Sequence, residues 1–144
     1  MKGAWVLQSL RNQLNNDTLF FDIIKSFHVE NAREIVVSQD FVNHVNEKTK
    51  SDYSWFFNHY LYNNEAPSLS YYIDDNGMFY YQWNNVKDDF TKLKITIGVG
   101  RKLVQIIPTK SVQKLQLPLI NESYEVRFSR DVLFEKKKMK KLAK

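Results

Sequence analysis

The chain of 144 residues contains no cysteine, which excludes disulfide bonds and thiolate chemistry. It has no apolar run of the roughly eighteen residues that a membrane-spanning helix needs, so the sequence predicts no transmembrane segment. The N-terminus also lacks the basic stretch followed by an apolar one that marks a signal peptide. These absences exclude cysteine chemistry and predict no membrane-spanning helix or signal peptide, but they do not identify the cellular compartment.

Catalytic patterns are also scarce. No glycine-rich loop precedes a helix, because Gly98-Val99-Gly100 lies between two strand-like segments, and no serine occupies a Gly-x-Ser-x-Gly elbow. None of the three histidines belongs to a His-Glu-x-x-His motif. His44 and Glu47 have a spacing that would let them share a metal, but zinc sites use three or four protein ligands. An exposed helical pair is therefore the simpler interpretation, and the sequence predicts no metal ligand, cofactor site or catalytic residue.

Adjacent carboxylates and clustered aromatic residues each leave two interpretations open. Asp74-Asp75 and Asp88-Asp89 are compatible with calcium binding, but solvated turns explain them more simply. The aromatic residues among positions 71–83 would suit a platform for sugars or bases. Cross-strand pairs that stabilise a hairpin are the simpler explanation of this cluster.

The densest aromatic segment, residues 52–62, lies where the apolar spacing changes from helical to strand-like. Its sequence predicts a helix that is apolar on nearly every side, with an aspartate as N-cap. Such a helix is usually buried between two bodies. We therefore predict an interdomain helix whose key residues are Asp52, Trp55, Phe56, Phe57 and Tyr60.

The residues before this segment repeat at helical spacing and predict three further helices. We expect Asp17 or Thr18 to cap the second helix and Ser38 to cap the third. Residues 35–37 form either a short strand or an apolar lead into the third helix. The stripe of the first helix is Gly3, Leu7, Leu10 and Leu14, the apolar stripe of the second is Phe20, Ile23, Ile24 and Phe27, and the buried face of the third is Phe41, Val42 and Val45.

After Pro67 the apolar residues alternate with a period of two, which predicts strands. The Asn76-Gly77 pair predicts a type I′ hairpin turn. Six or seven short strands separated by turns are typical of a small antiparallel sandwich. The alternating positions are Leu69, Tyr71 and Ile73; Phe79, Tyr81 and Trp83; Leu93, Ile95 and Ile97; Val104 and Ile106; Leu115 and Leu117; and Tyr124, Val126 and Phe128, with 132–134 as an extension.

The sequence thus predicts an α+β chain with three parts. Residues 1–66 form a bundle of three to four helices, residues 67–134 form the β-sandwich, and residues 135–144 form a basic tail. The last ten residues carry six lysines and one glutamate, which suits contact with an anionic polymer or lipid. A solvated, frayed terminus is the simpler interpretation, so we expect no specific nucleic-acid binding.

The helical half resembles the segment that follows the active-site tyrosine in the thermolysin-like zinc aminopeptidases, the family of aminopeptidase N and leukotriene hydrolase. The residues that carry the resemblance are Lys2-Gly3-Ala4-Trp5-Val6-Leu7 with Leu10-Arg11, Phe20-Phe21, Ser38-Gln39-Asp40-Phe41 with Val45-Asn46, and Asp52-Tyr53-Ser54-Trp55-Phe56-Phe57 with Tyr60-Leu61-Tyr62 and Pro67. The strands that follow are similar to the family's β-sandwich mainly in order and pattern.

The resemblance implies a C-terminal fragment of such an enzyme that is structural and inactive alone. The zinc ligands and general-base glutamate lie upstream of these motifs in the family, and the tyrosine is expected just before Lys2. Zinc and peptide substrates would therefore belong to the parent enzyme. The expected partner of this fragment is the rest of its own parent chain, contacted through Gly3, Trp5, Leu7, Leu10 and Leu14.

Two consequences follow from this interpretation. Without its partner, the fragment is expected to self-associate through the N-terminal helices. The alternative function is a free-standing β-sandwich binding module that uses its aromatic sheet or its basic tail. An upstream coding segment with a His-Glu-x-x-His motif would separate the two.

Overall fold

A computed structural model describes residues 2–62, 65–88, 90 and 92–139 of the chain. The predictions that concern Met1, Asp89 and residues 140–144 lie outside these described residues. The chain divides into two compact units, Met1–Asn64 and Glu65–Lys144. This division lies two positions before the predicted one at residues 66 and 67.

The first unit contains four helices among the described residues, in agreement with the predicted number. They are α1 (Lys2–Leu14), α2 (Asp17–Glu30), α3 (Ser38–Thr49) and α4 (Ser54–Tyr62). Each helix packs against the next one along the chain. This arrangement follows from the short connections, because short loops make consecutive helices neighbours.

The helix caps differ from the prediction by one or two positions. Asn16, and not Asp17 or Thr18, caps α2, because its side-chain oxygen accepts a hydrogen bond from the Leu19 N–H at 3.0 Å. Val37, and not Ser38, holds the N-cap position of α3, since the Asp40 carboxylate accepts from the Val37 N–H at 2.9 Å. The Asp40 side chain, three residues inside the helix, thus satisfies the N–H group of the N-cap residue itself, as in the second half of a capping box.

Asp52 also lies outside the N-cap position of α4. The carbonyl of Tyr53 accepts from the N–H groups of Phe56 at 3.0 Å and Phe57 at 3.2 Å, which places Tyr53 at the cap. The Asp52 carboxylate instead accepts from the Ser54 N–H at 2.9 Å. Asp52 therefore satisfies a free donor of the first turn, as predicted, but from one residue further out.

The buried face of α1 is rotated relative to the predicted stripe. The buried residues are Val6, Ser9, Leu10 and Gln13, whereas Gly3 and Leu7 are exposed and Leu14 is partly exposed. Spacing by three and four residues fits both sets, so periodicity alone left the choice between adjacent stripes open.

The second unit contains seven strands among its described residues, in two sheets. The strands are β1 (Ser68–Ile73), β2 (Met78–Asn84), β3 (Ile95–Val99), β4 (Lys102–Ile106), β5 (Gln113–Gln116), β6 (Arg127–Phe128) and β7 (Glu135–Lys138). The first sheet has the order β5-β2-β1-β7 and the second has the order β4-β3-β6. All the pairings are antiparallel except that of β1 with β7. The chain therefore has an α+β fold.

The β1–β2 hairpin forms where predicted, but not with a type I′ turn. Gly77 has a φ of 81°, whereas Asn76 does not have a positive φ. The Asp74 carboxylate accepts from the N–H groups of Asn76 at 2.9 Å and Met78 at 2.8 Å. These bonds stabilise a longer loop with one left-handed glycine, which is the next most common hairpin geometry.

The lysine-rich segment is partly a strand and not wholly a tail. Glu135–Lys138 pair in parallel with Ser68–Tyr71, and the Met139 N–H donates to the Tyr71 carbonyl at 2.8 Å. All four strand residues are exposed. Lysine is a common residue on edge strands, because its charge opposes pairing with another chain. The segment 132–134, which was predicted to extend the sheet, directly precedes this strand.

Aromatic side chains occupy the core of the second unit. Trp83, Phe79 and Phe90 are buried, together with Leu69, Leu93, Ile95 and Ile97. Ring contacts also join the two sheets: the centroid of Phe128 in β6 lies 5.1 Å from that of Tyr71 in β1. Such contacts support the predicted packing of one sheet on the other.

Candidate functional site

The residues predicted to contact a missing partner divide into exposed and buried positions on α1. Trp5 is 45% exposed and Leu7 is 36% exposed, whereas Leu10 is fully buried. Leu14 is partly exposed, and Gly3 has open space beside it. Trp5 and Leu7 are therefore the members of this set that can contact another molecule through a large apolar side chain.

Further apolar side chains of the helical unit are exposed beyond α1. Ile35 is completely exposed in the loop before α3, so the segment 35–37 is an apolar lead into that helix and not a strand. Phe21 of α2 is 54% exposed. The exposed apolar set of this unit comprises Trp5, Leu7, Phe21, Val29, Ile35, Val36, Val37, Leu61 and Tyr62. Single exposed apolar residues are ordinary, whereas a contiguous apolar patch marks an interaction surface, so these residues are the candidates for one.

An ion pair between α1 and α2 lies against the exposed Phe21 ring. The Arg11 guanidinium donates to both Asp17 carboxylate oxygens at 2.9 Å and lies 5.1 Å from the centre of the Phe21 ring. The hydrogen bonds from Arg11 hold the pKa of the Asp17 carboxyl below its usual value. The bidentate pair fixes the guanidinium plane, and the plane rests against the exposed ring.

The predicted interdomain helix is buried at three of its five key positions. Phe56, Phe57 and Tyr60 are at most 1% exposed, Trp55 is partly exposed and Asp52 is exposed. Burial raises the pKa of the Tyr60 phenol, and a hydrogen bond with Ser9 of α1 opposes that shift. A buried phenol with a polar partner joins the first and last helices of this unit.

A buried histidine joins α2 to α3. Nε2 of His44 lies 2.8 Å from Ser26 Oγ, and Nδ1 lies 3.5 Å from a carboxylate oxygen of Glu30. The His44 side chain is 8% exposed, whereas that of Glu30 is 59% exposed. His44 therefore pairs with residues of the preceding helix and not with Glu47, its predicted companion.

This Ser-His-Glu arrangement resembles a hydrolytic triad in residue type but not in setting. His44, Glu30 and Glu47 line a cavity of about 450 Å³ whose wall does not include Ser26. Ser26 lies within α2, where the backbone N–H groups are already used by the helix. A substrate in this cavity would not meet the hydroxyl or an oxyanion hole, so the cluster is a structural link between two helices.

Metal ligands are not grouped in the part of the chain that the structure describes. No set of three or more histidine and acidic side chains is placed there to hold an ion. Tetrahedral zinc needs three or four protein ligands, so these residues do not fit a zinc centre. The described helices also include none that is long and apolar enough to cross a bilayer.

The aromatic cluster of residues 71–83 is divided between the two faces of its sheet. Phe79, Tyr81 and Trp83 are buried. Tyr72 lies directly opposite Tyr80 in the register of β1 and β2, which agrees with the simpler interpretation as cross-strand pairs. Tyr72 and Tyr80 are partly exposed and stack with their ring centres 6.1 Å apart. A continuous platform of six rings is therefore not available to a ligand.

Comparison with known proteins finds no family model that matches this chain and no characterised protein that matches it.

The sequence did not indicate the Ser26–His44 pair, since the two residues are eighteen positions apart. The signal that was available is the apolar neighbourhood of His44, which lies between Val42 and Val45 on the helix. That neighbourhood favours burial, and a buried imidazole requires polar partners.

Proposed function

We propose that this chain is the C-terminal part of a thermolysin-like zinc aminopeptidase, in which it completes and braces the catalytic domain. Two of the motifs that resemble the family lie at the starts of helices, since Ser38 begins α3 and Ser54 begins α4. A unit of strands then follows, in the expected order. This agreement between motif position and element order supports the proposal.

The observation that carries the proposal is the exposure of large apolar side chains on the helical unit. Trp5 belongs to the first of the resembling motifs, and nearly half of its surface is exposed. Covering that half, roughly 90 Å² of an aromatic side chain, would stabilise a complex by about 2 kcal/mol. The partner proposed for this surface is the zinc-bearing segment of the parent chain, with apolar helices of its own.

No step of peptide hydrolysis is assigned to this chain. In the parent enzyme, zinc would polarise the scissile carbonyl and activate water, using ligands that lie outside these residues. The contribution of this chain is mechanical, because Trp5 and Leu7 would pack against the zinc-bearing helices and hold them in position.

The test begins with the coding sequence upstream of the chain. We expect a His-Glu-x-x-His motif there, and a protein extended to include it should hydrolyse aminoacyl amides in a zinc-dependent manner. In the extended protein, Trp5→Asp should lower that activity and the melting temperature. The matched control is Leu103→Asp in β4, which changes a 79% exposed leucine on the other unit and should alter neither.

The chain alone provides a second readout. It should self-associate at high concentration, and Trp5→Asp should shift it toward monomer in sedimentation experiments, whereas Leu103→Asp should not. An upstream segment without the zinc motif, or a Trp5→Asp variant that behaves as wild type in both proteins, would refute the proposal.

The second candidate function is a free-standing binding module. It is favoured by β7, whose lysines 136–138 are exposed on a sheet edge. Such a module would bind an anionic polymer with a steep dependence on salt, and Lys137→Gln would reduce that dependence. Binding of this kind together with a missing zinc motif would favour the module over the peptidase fragment.

A further inference from the structure

A small cavity lies in the second unit, beside the turn that joins β3 to β4. Its volume is about 210 Å³. The polar side chains of its wall are Arg101, Asn121, Ser123, Glu125 and Arg127. Pockets for drug-sized ligands have about 300–1,000 Å³, so this cavity suits a ligand of only a few non-hydrogen atoms.

Two glycines make room for this wall. Gly98 of β3 pairs with Arg127 of β6, and a Cβ at position 98 would lie 2.8 Å from Nη2 of that arginine. Gly100 has a φ of 62°, and a Cβ there would lie 2.8 Å from a methyl carbon of Ile120. The Gly98-Val99-Gly100 segment therefore does more than turn the chain, since each of its glycines admits a side chain that borders the cavity.

A hydrogen bond and the Gly98 backbone orient Arg127 in the cavity wall. Nη2 of Arg127 donates to the Gly100 carbonyl at 2.6 Å, and the guanidinium lies against the backbone of Gly98. A guanidinium has five N–H donors, so this single bond leaves others for a ligand. A side chain fixed in this way loses little entropy when it binds an anion.

Charges of both signs line the cavity without neutralising each other. Within the described residues, neither Arg101 nor Arg127 forms an ion pair with a carboxylate. The Glu125 carboxylate accepts one long hydrogen bond, from Ser123 Oγ at 3.5 Å. A simple anion would be attracted by the arginines but repelled by Glu125. A ligand that carries both charges would instead place its negative group beside the arginines and its positive group beside Glu125.

We propose that this cavity binds a small zwitterion, whose carboxylate contacts Arg101 and Arg127 and whose ammonium group contacts Glu125. A free α-amino acid is the simplest molecule of this class. The inference does not depend on the proposed peptidase role, because the site consists only of residues of the second unit.

The test uses the full chain and backbone amide NMR shifts, with glycine, acetate, methylammonium and inorganic phosphate as probes. We expect glycine to shift the amides of Gly100 and Ser123 at lower concentration than any other probe. Arg101→Gln should weaken glycine binding roughly tenfold or more, the usual effect of losing a charged hydrogen bond. Arg130→Gln is the matched control, since this exposed arginine lies outside the cavity wall and should change nothing.

Two further variants distinguish a zwitterion site from a plain anion site. Glu125→Gln should weaken glycine binding but strengthen acetate binding, because it removes both the ammonium partner and the repulsion. Gly98→Ala retains every charge but displaces the Arg127 guanidinium, and it should weaken glycine binding. Glycine that leaves the cavity amides unshifted, or acetate or phosphate that binds the wild type as tightly as glycine, would overturn the proposal.

Discussion

The hydrogen bond between Ser26 and His44 predicts a measurable coupling between α2 and α3. The hydroxyl lies 2.8 Å from Nε2, but it is also 3.3 Å from the Ile23 carbonyl of its own helix. Replacing His44 with phenylalanine therefore leaves the hydroxyl a second partner. It also frees Glu30, whose side chain is 59% exposed and can bind water.

The magnitude follows from these partners. A neutral hydrogen bond contributes about 0.5–1.5 kcal/mol, and His44→Phe leaves no buried polar group without a partner. Ser26→Ala removes the partner of Nε2 on the buried His44 ring, which places its cost toward the upper end of the expected range. We expect Ser26→Ala and His44→Phe each to lower the local stability by about 1–2 kcal/mol, with a coupling energy near 1 kcal/mol between them. Glu30→Gln should cost less than about 0.5 kcal/mol, because its contact with the imidazole is exposed.

Hydrogen exchange of the α2 and α3 amides is the appropriate assay, since it reports the helical unit separately from the strands. The two single variants and the double variant complete a thermodynamic cycle. Independent sites add within about 0.3–0.5 kcal/mol. A coupling energy below that range would mean that the hydrogen bond contributes nothing and that the reasoning from geometry is wrong.

Two further predictions concern the core and the hairpin. Because burial raises the pKa of Tyr60, the unfolded chain loses this proton first as the pH rises above about 10, so the stability should fall there. In urea unfolding, Tyr60→Phe should reduce the loss of stability at alkaline pH, whereas the control Tyr62→Phe, at a 60% exposed residue, should not. An equal loss of stability with pH in both variants would contradict the role given to Tyr60. Gly77→Ala should cost about 2–4 kcal/mol by thermal unfolding, because φ is 81° and a Cβ would meet the Tyr124 ring. Gly3→Ala, with open space on α1, should instead stabilise its helix by about 0.5–1 kcal/mol, and similar effects at both glycines would refute this account.

The sequence by itself determined the kinds of element and their order. Apolar spacing predicted three to four helices before Pro67 and strands after it, and the structure has this α+β order. Asn76-Gly77 located the first hairpin. These features depend on local backbone preferences and on the spacing at which apolar side chains recur, and both are determined by residues close together in the sequence.

Only the tertiary structure decided which faces are buried and which distant segments meet. The lysine-rich β7 pairs with β1 more than sixty positions earlier, although its composition resembles a solvated tail. Ser26 likewise contacts His44, eighteen positions later, and Gly98 pairs with Arg127, although no local pattern links the members of either pair. Sheet partners and helix rotations are chosen by the summed packing of the whole unit, and a period of two or of 3.6 residues is satisfied by more than one such arrangement.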